Sequence, residues 1–504
     1  MNSSQRAFLT VAVMAATVMQ VLDTTIVNVA LPQMQGELGA TPDQVSWVLT
    51  SYLVASAIMM PLTGFFTDLF GRKKYLLISI SGFVIASMLC GLAQNLTELV
   101  IFRMLQGMFG AALVPLSQAI MVDTYPIAER PKAMAIWSMG VMIGPIAGPT
   151  LGGWLTEVLD WRWTFYINLP VGIISFLLAS RFVPDTERRS RNMDWLGFIY
   201  LSLAIAGLQY FLDRGNTDDW FNNTGVTTAA ILSVIGLALF IWHSMKRQTN
   251  SLFSLHIFRD RNFVTATLVI TMLGFGLYGG MVIQPTMLEG LMGYPAATAG
   301  LVMAPRGLAS MISMMLVGRM MKTMDTRYII AFGMILSAIG NYLYTLYNLN
   351  ASPLQIFLPL IFQGFGLGFM MVPLTTIALA TMRPYLVPDA AGLYSLLRTI
   401  GSSIGIALVS TLYSRGAQMN WQSLGGAIQP FNSALQPYVT GSTLNSATLN
   451  STTLQPLAAE LMRQSGMVSI VNAYWWMTAS FIIMLPLVLL LKPLPKGAAT
   501  VVSE

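Results

Sequence analysis

Charge is what this sequence lacks. Asp, Glu, Lys and Arg make up 10% of its 504 residues, against about 25% in soluble domains. A globule of this length cannot cover itself in water with so little, so a water-soluble protein is excluded. Cysteine is almost absent as well. The single Cys90 rules out a disulfide framework, a Cys-based zinc site and a thiolate iron–sulfur cluster, and the two isolated histidines, His243 and His256, make no metal site. No metal and no cofactor is expected. Neither a Gly-x-y period nor a high net charge is present, which excludes collagen-like and disordered chains. The net charge of +6 does not point to nucleic acid, because no basic cluster on a soluble surface accompanies it. Also missing are the phosphate-cradling Gly-x-x-x-x-Gly-Lys-Ser/Thr, Gly-x-Ser-x-Gly, His-Glu-x-x-His and paired intramembrane Asp that ATP-driven or enzymatic membrane proteins need.

Long apolar runs fill the space that charge leaves. A bilayer core of ~30 Å needs about 20 apolar residues per helix. Fourteen such blocks can be marked: 8–30, 47–66, 75–94, 98–120, 133–155, 164–182, 194–212, 227–244, 262–287, 298–320, 327–346, 355–380, 391–413 and 469–491. An outer-membrane barrel would show ~10-residue alternating segments instead. The expected fold class is therefore an all-α polytopic membrane protein. With a cytoplasmic N-terminus, the turns that face out hold only Arg162, Arg214, Arg415 and Arg463. Of the 27 basic residues, the termini and remaining turns, helix ends included, hold twenty. That asymmetry is the positive-inside rule for an even helix count with both termini in the cytoplasm. The first block lacks a basic n-region and is too long for a cleaved signal, so it is expected to be retained.

The chain repeats itself. Gln106-Gly107 precedes Pro115-Leu116, and Gln363-Gly364 precedes Pro373-Leu374, each pair on a helix running inward. Short turns repeat too, with Gly64, Asp68 and Arg72 in one half and Gly318, Asp325 and Arg327 in the other. Parallel repeats of six helices around a midplane site are a transporter architecture. The expected organisation is a first six-helix bundle over 1–190, two inserted helices over 191–245, an amphipathic cytoplasmic linker over 246–261, and a second bundle over 262–504 with an outward-facing stretch at 414–468. Within the linker, 252–259 reads as a helix lying in the membrane interface.

Three stretches carry a family resemblance. The turn after the second block holds Gly64, Asp68, Gly71, Arg72, Lys73 and Lys74 and resembles the signature turn of the major facilitator superfamily. The fifth block places Gly140, Gly144, Gly148 and Gly152 on one face, with Pro145, Pro149 and Gly153. Such a stripe lets a neighbouring backbone approach closely, and it resembles the antiporter motif of drug:proton exporters. Leu22 through Pro32, Arg103 with Gln106-Gly107, Trp161 through Pro170, Leu208 through Gly215, and Gln429-Pro430-Phe431-Asn432 are similar to the fourteen-helix drug:proton antiporters, in particular to EmrB-type inner-membrane subunits of tripartite multidrug pumps. The resemblance implies the major facilitator fold in the bacterial inner membrane, export of amphipathic drugs against protons, a cytoplasmic gate at the signature turn that includes Asp123, and a periplasmic adaptor docked on 414–468 that leads to an outer-membrane channel.

Buried charge names the residues that matter, since a charge at mid-bilayer costs at least ~2.5 kcal/mol. Asp23 lies roughly 22 Å from the inner edge of the first block, and Arg103 roughly 8 Å below the outer edge of the fourth, at 1.5 Å per residue. Their depths coincide, and the resemblance implies that both helices line the central cavity, so the two are expected to form a facing pair. Asp23 is then the proton-coupling carboxylate: Arg103 compensates its charge when near, and a proton does so when Arg103 is away. A static pair that fixes helix register is the alternative. Arg306 is expected to serve gating or packing, Arg398 to snorkel to the cytoplasm, and Glu289 to sit at a wetted boundary. Gln20, Asn28, Gln118, Trp137, Gln363 and Met371 are the side chains expected to line a large apolar substrate cavity. Export of one dedicated metabolite, fatty acid or lipid on the same scaffold remains open, because specificity resides in cavity shape.

Overall fold

A computed structural model describes residues 3–126, 129–188, 192–246, 252, 255–426 and 451–492, and among them it contains helices and no strand. The first bundle is α1 (Ser3–Glu37), α2 (Trp47–Phe70), α3 (Arg72–Leu92), α4 (Leu96–Thr124), α5 (Arg130–Val158) and α6 (Trp163–Phe182). Two further helices follow, α7 (Trp195–Arg214) and α8 (Thr224–Lys246). The second bundle is α9 (Arg261–Leu291), α10 (Ala296–Met320), α11 (Thr326–Tyr344), α12 (Pro353–Ala380), α13 (Val387–Gly425) and α14 (Ser451–Met484). Twelve of these are long and apolar enough to cross a bilayer, and α5, bent by 41° at residue 149, makes a thirteenth. Arg327 and Asn341 dilute α11 and keep it outside that group.

Polar residues at the helix starts explain where these segments begin. Asn95, Asp194, Asp260, Asp325 and Ser352 each accept a backbone N–H from the first turn of α4, α7, α9, α11 and α12, and such caps satisfy amides that the bilayer cannot. Between α2 and α3 the chain turns at Gly71, whose φ of +79° ends one helix and opens the next. That left-handed conformation suits glycine and strains other residues.

The duplication is visible as packing. In the first bundle α1 lies on α5 and α6, while α4 lies on α2 and α3; in the second, α9 lies on α13 and α14, while α12 lies on α10 and α11. The repeated Gln-Gly dipeptides sit at equivalent crossings. A Cβ on Gly107 would strike the Tyr52 carbonyl of α2, and one on Gly364 the Arg306 carbonyl of α10. The two bundles meet where α2 and α4 touch α13 and where α5 touches α10 and α12. On the face that carries Arg72 to Lys74 this seam is closed, with Leu113–Val122, Phe369–Leu379 and Val387–Leu396 buried throughout. Towards the opposite face, α7 bridges α2 and α13. Asp213 accepts a hydrogen bond from Thr50, and Ser403 Oγ donates to Gln209 Oε1 at 3.1 Å.

Two expectations about loops are corrected. The stretch 414–468 is helical at both ends, because α13 runs on to Gly425 and α14 starts at Ser451. Each extension satisfies the other: Ser469 Oγ donates to the Tyr413 carbonyl at 2.7 Å, and Asn420 Nδ2 to the Ser465 carbonyl at 3.4 Å. Gln429 to Asn432 lie outside the described residues. The segment expected as an interfacial helix at 252–259 is a 3₁₀ turn over Leu255–Arg259, with Leu252 and Ile257 buried in the protein core instead of facing lipid.

Candidate functional site

Asp23, two-thirds of the way along α1, is fully enclosed at 0% exposure, as is Arg103 on α4. Arg103 Nη1 donates to Asp23 Oδ2 at 2.6 Å. Gln106, one turn further along the same face of α4, donates through Nε2 to Asp23 Oδ1 at 2.8 Å, and Asn168 of α6 donates Nδ2 to the same oxygen at 2.8 Å. Arg103 is itself held, with Nε donating to the Val48 carbonyl at 3.1 Å and Nη1 to Gln106 Oε1 at 2.7 Å. The Tyr52 ring lies 4.3 Å from its guanidinium carbon. Asn168 also donates to Ser87 Oγ, which donates to the Phe165 carbonyl. This is a carboxylate with one cation and two neutral donors, which is what a buried charge requires to persist.

The two side chains face each other inside the first bundle, roofed by α2, α3 and α6. The reason is a set of polar residues on those helices, Ser87, Asn168 and the Val48 carbonyl, that offers Asp23 and Arg103 a complete shell there.

The gate residues separate into two groups. Arg72 pairs with Asp123 at the end of α4, in its own bundle, and its backbone N–H donates to Thr186 Oγ1 at 2.9 Å. Lys73 stands 4.0 Å from Asp185. Arg6, Arg72, Asp123 and Thr186 line a cavity of about 360 Å³ on this face. The contact between bundles lies one turn back, where a Cβ on Gly64 would collide with the Asp389 carboxylate of α13 and one on Gly392 with the Met60 carbonyl of α2. Asp68 is half-buried between them.

In the glycine helix the stripe works unevenly. Gly144 and Gly152 abut the α1 backbone at Val21–Leu22 and Ile26, Gly148 abuts the Thr25 side chain, and Thr25 Oγ1 donates to the Gly144 carbonyl at 3.0 Å. Gly140 meets only side chains, the flexible end of Met14 and a Val18 methyl, and nothing lies closer than 4.0 Å to a Cβ on Gly153. The side chains of Pro145 and Pro149 lie outside the described residues. A second seam of the same kind, absent from the sequence reading, joins α9 to α13, where Gly274 meets Gly401 and Gly405 backbone to backbone. Its signal was the Gly401-x-x-x-Gly405 spacing.

Of the six expected cavity residues only Asn28 is exposed. Gln20, Gln118, Trp137 and Met371 are buried, Gln118 with neither polar atom partnered. Gln363 is buried in a hydrogen-bonded chain, accepting from Gln284 at 2.8 Å and donating to Asn341 at 2.7 Å. Five of the six expected lining residues are therefore enclosed in the protein. Glu289 is exposed near the end of α9, Arg398 is half-buried in α13, and Arg306 is buried in α10. Asn168 lies in the Trp161–Pro170 stretch that carries the resemblance, without a role assigned there, while Ser87, Gln284, Asn341, Tyr344 and Tyr474 carry no signal in the sequence beyond being polar groups within apolar runs.

A duplicated helical bundle with a sealed intramembrane ion pair and a closed seam between its halves defines a membrane transporter. The chain belongs to the major facilitator superfamily, whose family model matches residues 13–406. It is 34% identical to the multidrug export protein EmrB of Escherichia coli K12, over 99% of this chain and 97% of that one. It is 35% identical to the fatty acid resistance protein FarB of Neisseria gonorrhoeae, over 97% and 96%. The solved structure of the human organic anion transporter MFSD10 shares the fold with a TM-score of 0.64, at 14% identity over 97% of this chain and 100% of that one.

Proposed function

We propose that this protein is a proton-coupled antiporter that exports drugs and other amphipathic toxic compounds across the bacterial inner membrane by alternating access. The observation that carries the proposal is the enclosed Asp23 beside Arg103, within 2.6 Å and without solvent. While the cation stays close the carboxylate is compensated. When Arg103 withdraws, a proton on Asp23 restores neutrality, so one site alternates between two ways of balancing charge. The glycine contacts of α5 on α1 keep this helix pair tight around the site. The relatives named for multidrug export support the substrate class.

In this reading the basic face is cytoplasmic, by the positive-inside rule, with both termini there and fourteen spans. The closed seam is then the shut cytoplasmic gate, with Arg72 and Asp123 bracing the first bundle while Gly64 and Asp389 join it to the second. No bound cofactor is needed, because the proton gradient is the drive. The paired extensions of α13 and α14 project away from the cytoplasm and offer a docking surface to a periplasmic adaptor, through which an outer-membrane channel is reached. The protein reconstituted in proteoliposomes under an inward proton gradient is the test. Asp23→Asn is expected to insert normally and to lose gradient-driven dye export, and transport undiminished in this variant sinks the proposal.

A further inference from the structure

The two bundles meet along two sides, and the sides are built differently. On one, α5 and α10 touch directly along their length: a Cβ on Gly318 would meet Ala135, one on Gly307 would meet Ile146, and one on Gly300 would reach Thr150. On the other, α2 and α13 touch in the half nearest the basic face, where Gly64 lies on Asp389 and Thr399 Oγ1 donates to Met60 Sδ at 3.9 Å. One turn beyond Thr399, Ser403 of α13 bonds Gln209 of α7 instead, and the outer part of α2, Trp47–Met59, packs on α4 and α7. From that level outward α7 stands between α2 and α13. Its residues Gln209, Asp213 and Asn216 recur at i, i+4 and i+7, one face of a helix, and this end of α7 holds both neighbours. Asp213 accepts from Thr50 of α2, and Arg214 Nη2 donates to Ser46 Oγ at 2.9 Å. Asn216 Oδ1 accepts from Ser414 Oγ of α13 at 2.9 Å, and Arg415 donates Nη2 to Asp219 Oδ1 at 3.1 Å. Behind α7 lies α8, brought close where Gly207 meets the Ala229 carbonyl and Gly236 the Tyr200 carbonyl. On its far side α8 exposes Ile231, Val234, Leu237 and Ile241, an apolar surface suited to lipid.

A gap left open between α2 and α13 would drain an amphipathic molecule sideways, because every CH₂ returned to lipid is stabilised there. We infer that α7 is the side wall of the outer opening: it keeps an exported amphipathic molecule out of the outer leaflet and passes it along the molecular axis towards the extensions of α13 and α14. The inference rests on the transport reading and adds the exit route to it. It also gives a purpose to the stretch Leu208 through Gly215, since Gln209, Asp213 and Arg214, which fasten the wall to its neighbours, all lie within it.

Lipid movement through the full-length protein, with no proton gradient, tests it. Vesicles carry a short-chain fluorescent phosphatidylcholine in the inner leaflet, and dithionite outside bleaches whatever reaches the outer one. The unaltered protein is expected to retain the lipid as protein-free vesicles do. The double variant Gln209→Ala, Asp213→Ala loses one bond to each neighbour and is expected to raise the bleached fraction severalfold. Ser403→Ala removes the α13 bond alone; it is expected to shift the fraction in the same direction and decides the matter where the double variant does not fold. Bleaching in these variants equal to that of the unaltered protein, whether low or high, overturns the assignment. Asp23→Asn is expected to retain the lipid while losing dye export, so failure of proton coupling and failure of the wall are separately visible.

Discussion

At the residue scale the outcome turns on what surrounds a charge. Asp23 was legible as the deep acid and Arg103 as its partner from depth alone, since helical rise fixes how far each lies from a membrane edge. The direction in which they face was not legible, because it depends on Val48, Ser87 and Asn168 from three other helices. Removing Arg103 leaves an uncompensated buried carboxylate, a loss of about 3–5 kcal/mol. Arg103→Ala is therefore expected to lower the unfolding temperature sharply, and the double variant Asp23→Asn, Arg103→Ala to recover much of it. Thermal unfolding in detergent checks this, and additive losses would mean that the two side chains are not energetically coupled. Arg306 illustrates the opposite difficulty. Its neutral partners, Gln284 and the Leu277 carbonyl in place of an acid, are a property of the folded bundle, invisible in a sequence where acids occur at other depths.

At the scale of elements, periodicity located the helices well and their ends poorly. Expected and observed bounds agree within about four residues from α2 to α12, where turns, prolines and caps punctuate the chain, while α1 runs further than expected at both ends. They part at α13 and α14, whose extensions meet through Gly416, Asn420 and Ser469; the helical spacing of Leu454, Leu457, Leu461 and Met462 marks the second of them in the sequence. The glycine stripe was read correctly as a packing face but could not be ranked by position. Gly148→Ala puts a methyl against Thr25, which also holds the Gly144 carbonyl, whereas Gly153→Ala enters open space. Transport assays are expected to register a severalfold loss for the first and almost none for the second. Equal effects would show that the stripe acts through helix propensity alone, since both changes gain the same ~1 kcal/mol from replacing glycine in a helix.

At the scale of the whole molecule, the duplication was legible because two Gln-Gly dipeptides mark the same crossing in each bundle. The closed seam was not, since a sequence with two conformations does not say which is adopted. The extensions of α13 and α14 make a prediction at this scale. Deleting 414–468 is expected to spare proton-driven transport in vesicles and to reduce export from intact cells, and parallel losses in the two assays would argue against adaptor docking. One feature of the ion pair reaches further. All the groups that enclose Asp23 belong to a single bundle, so rocking one bundle against the other moves them together and leaves the carboxylate sealed. Proton exchange at Asp23 then needs α1 and α4 to part within their bundle, and antiport requires that parting to fall in step with the rocking that carries substrate. A bundle loosened enough to open on its own would let protons pass with no molecule exported.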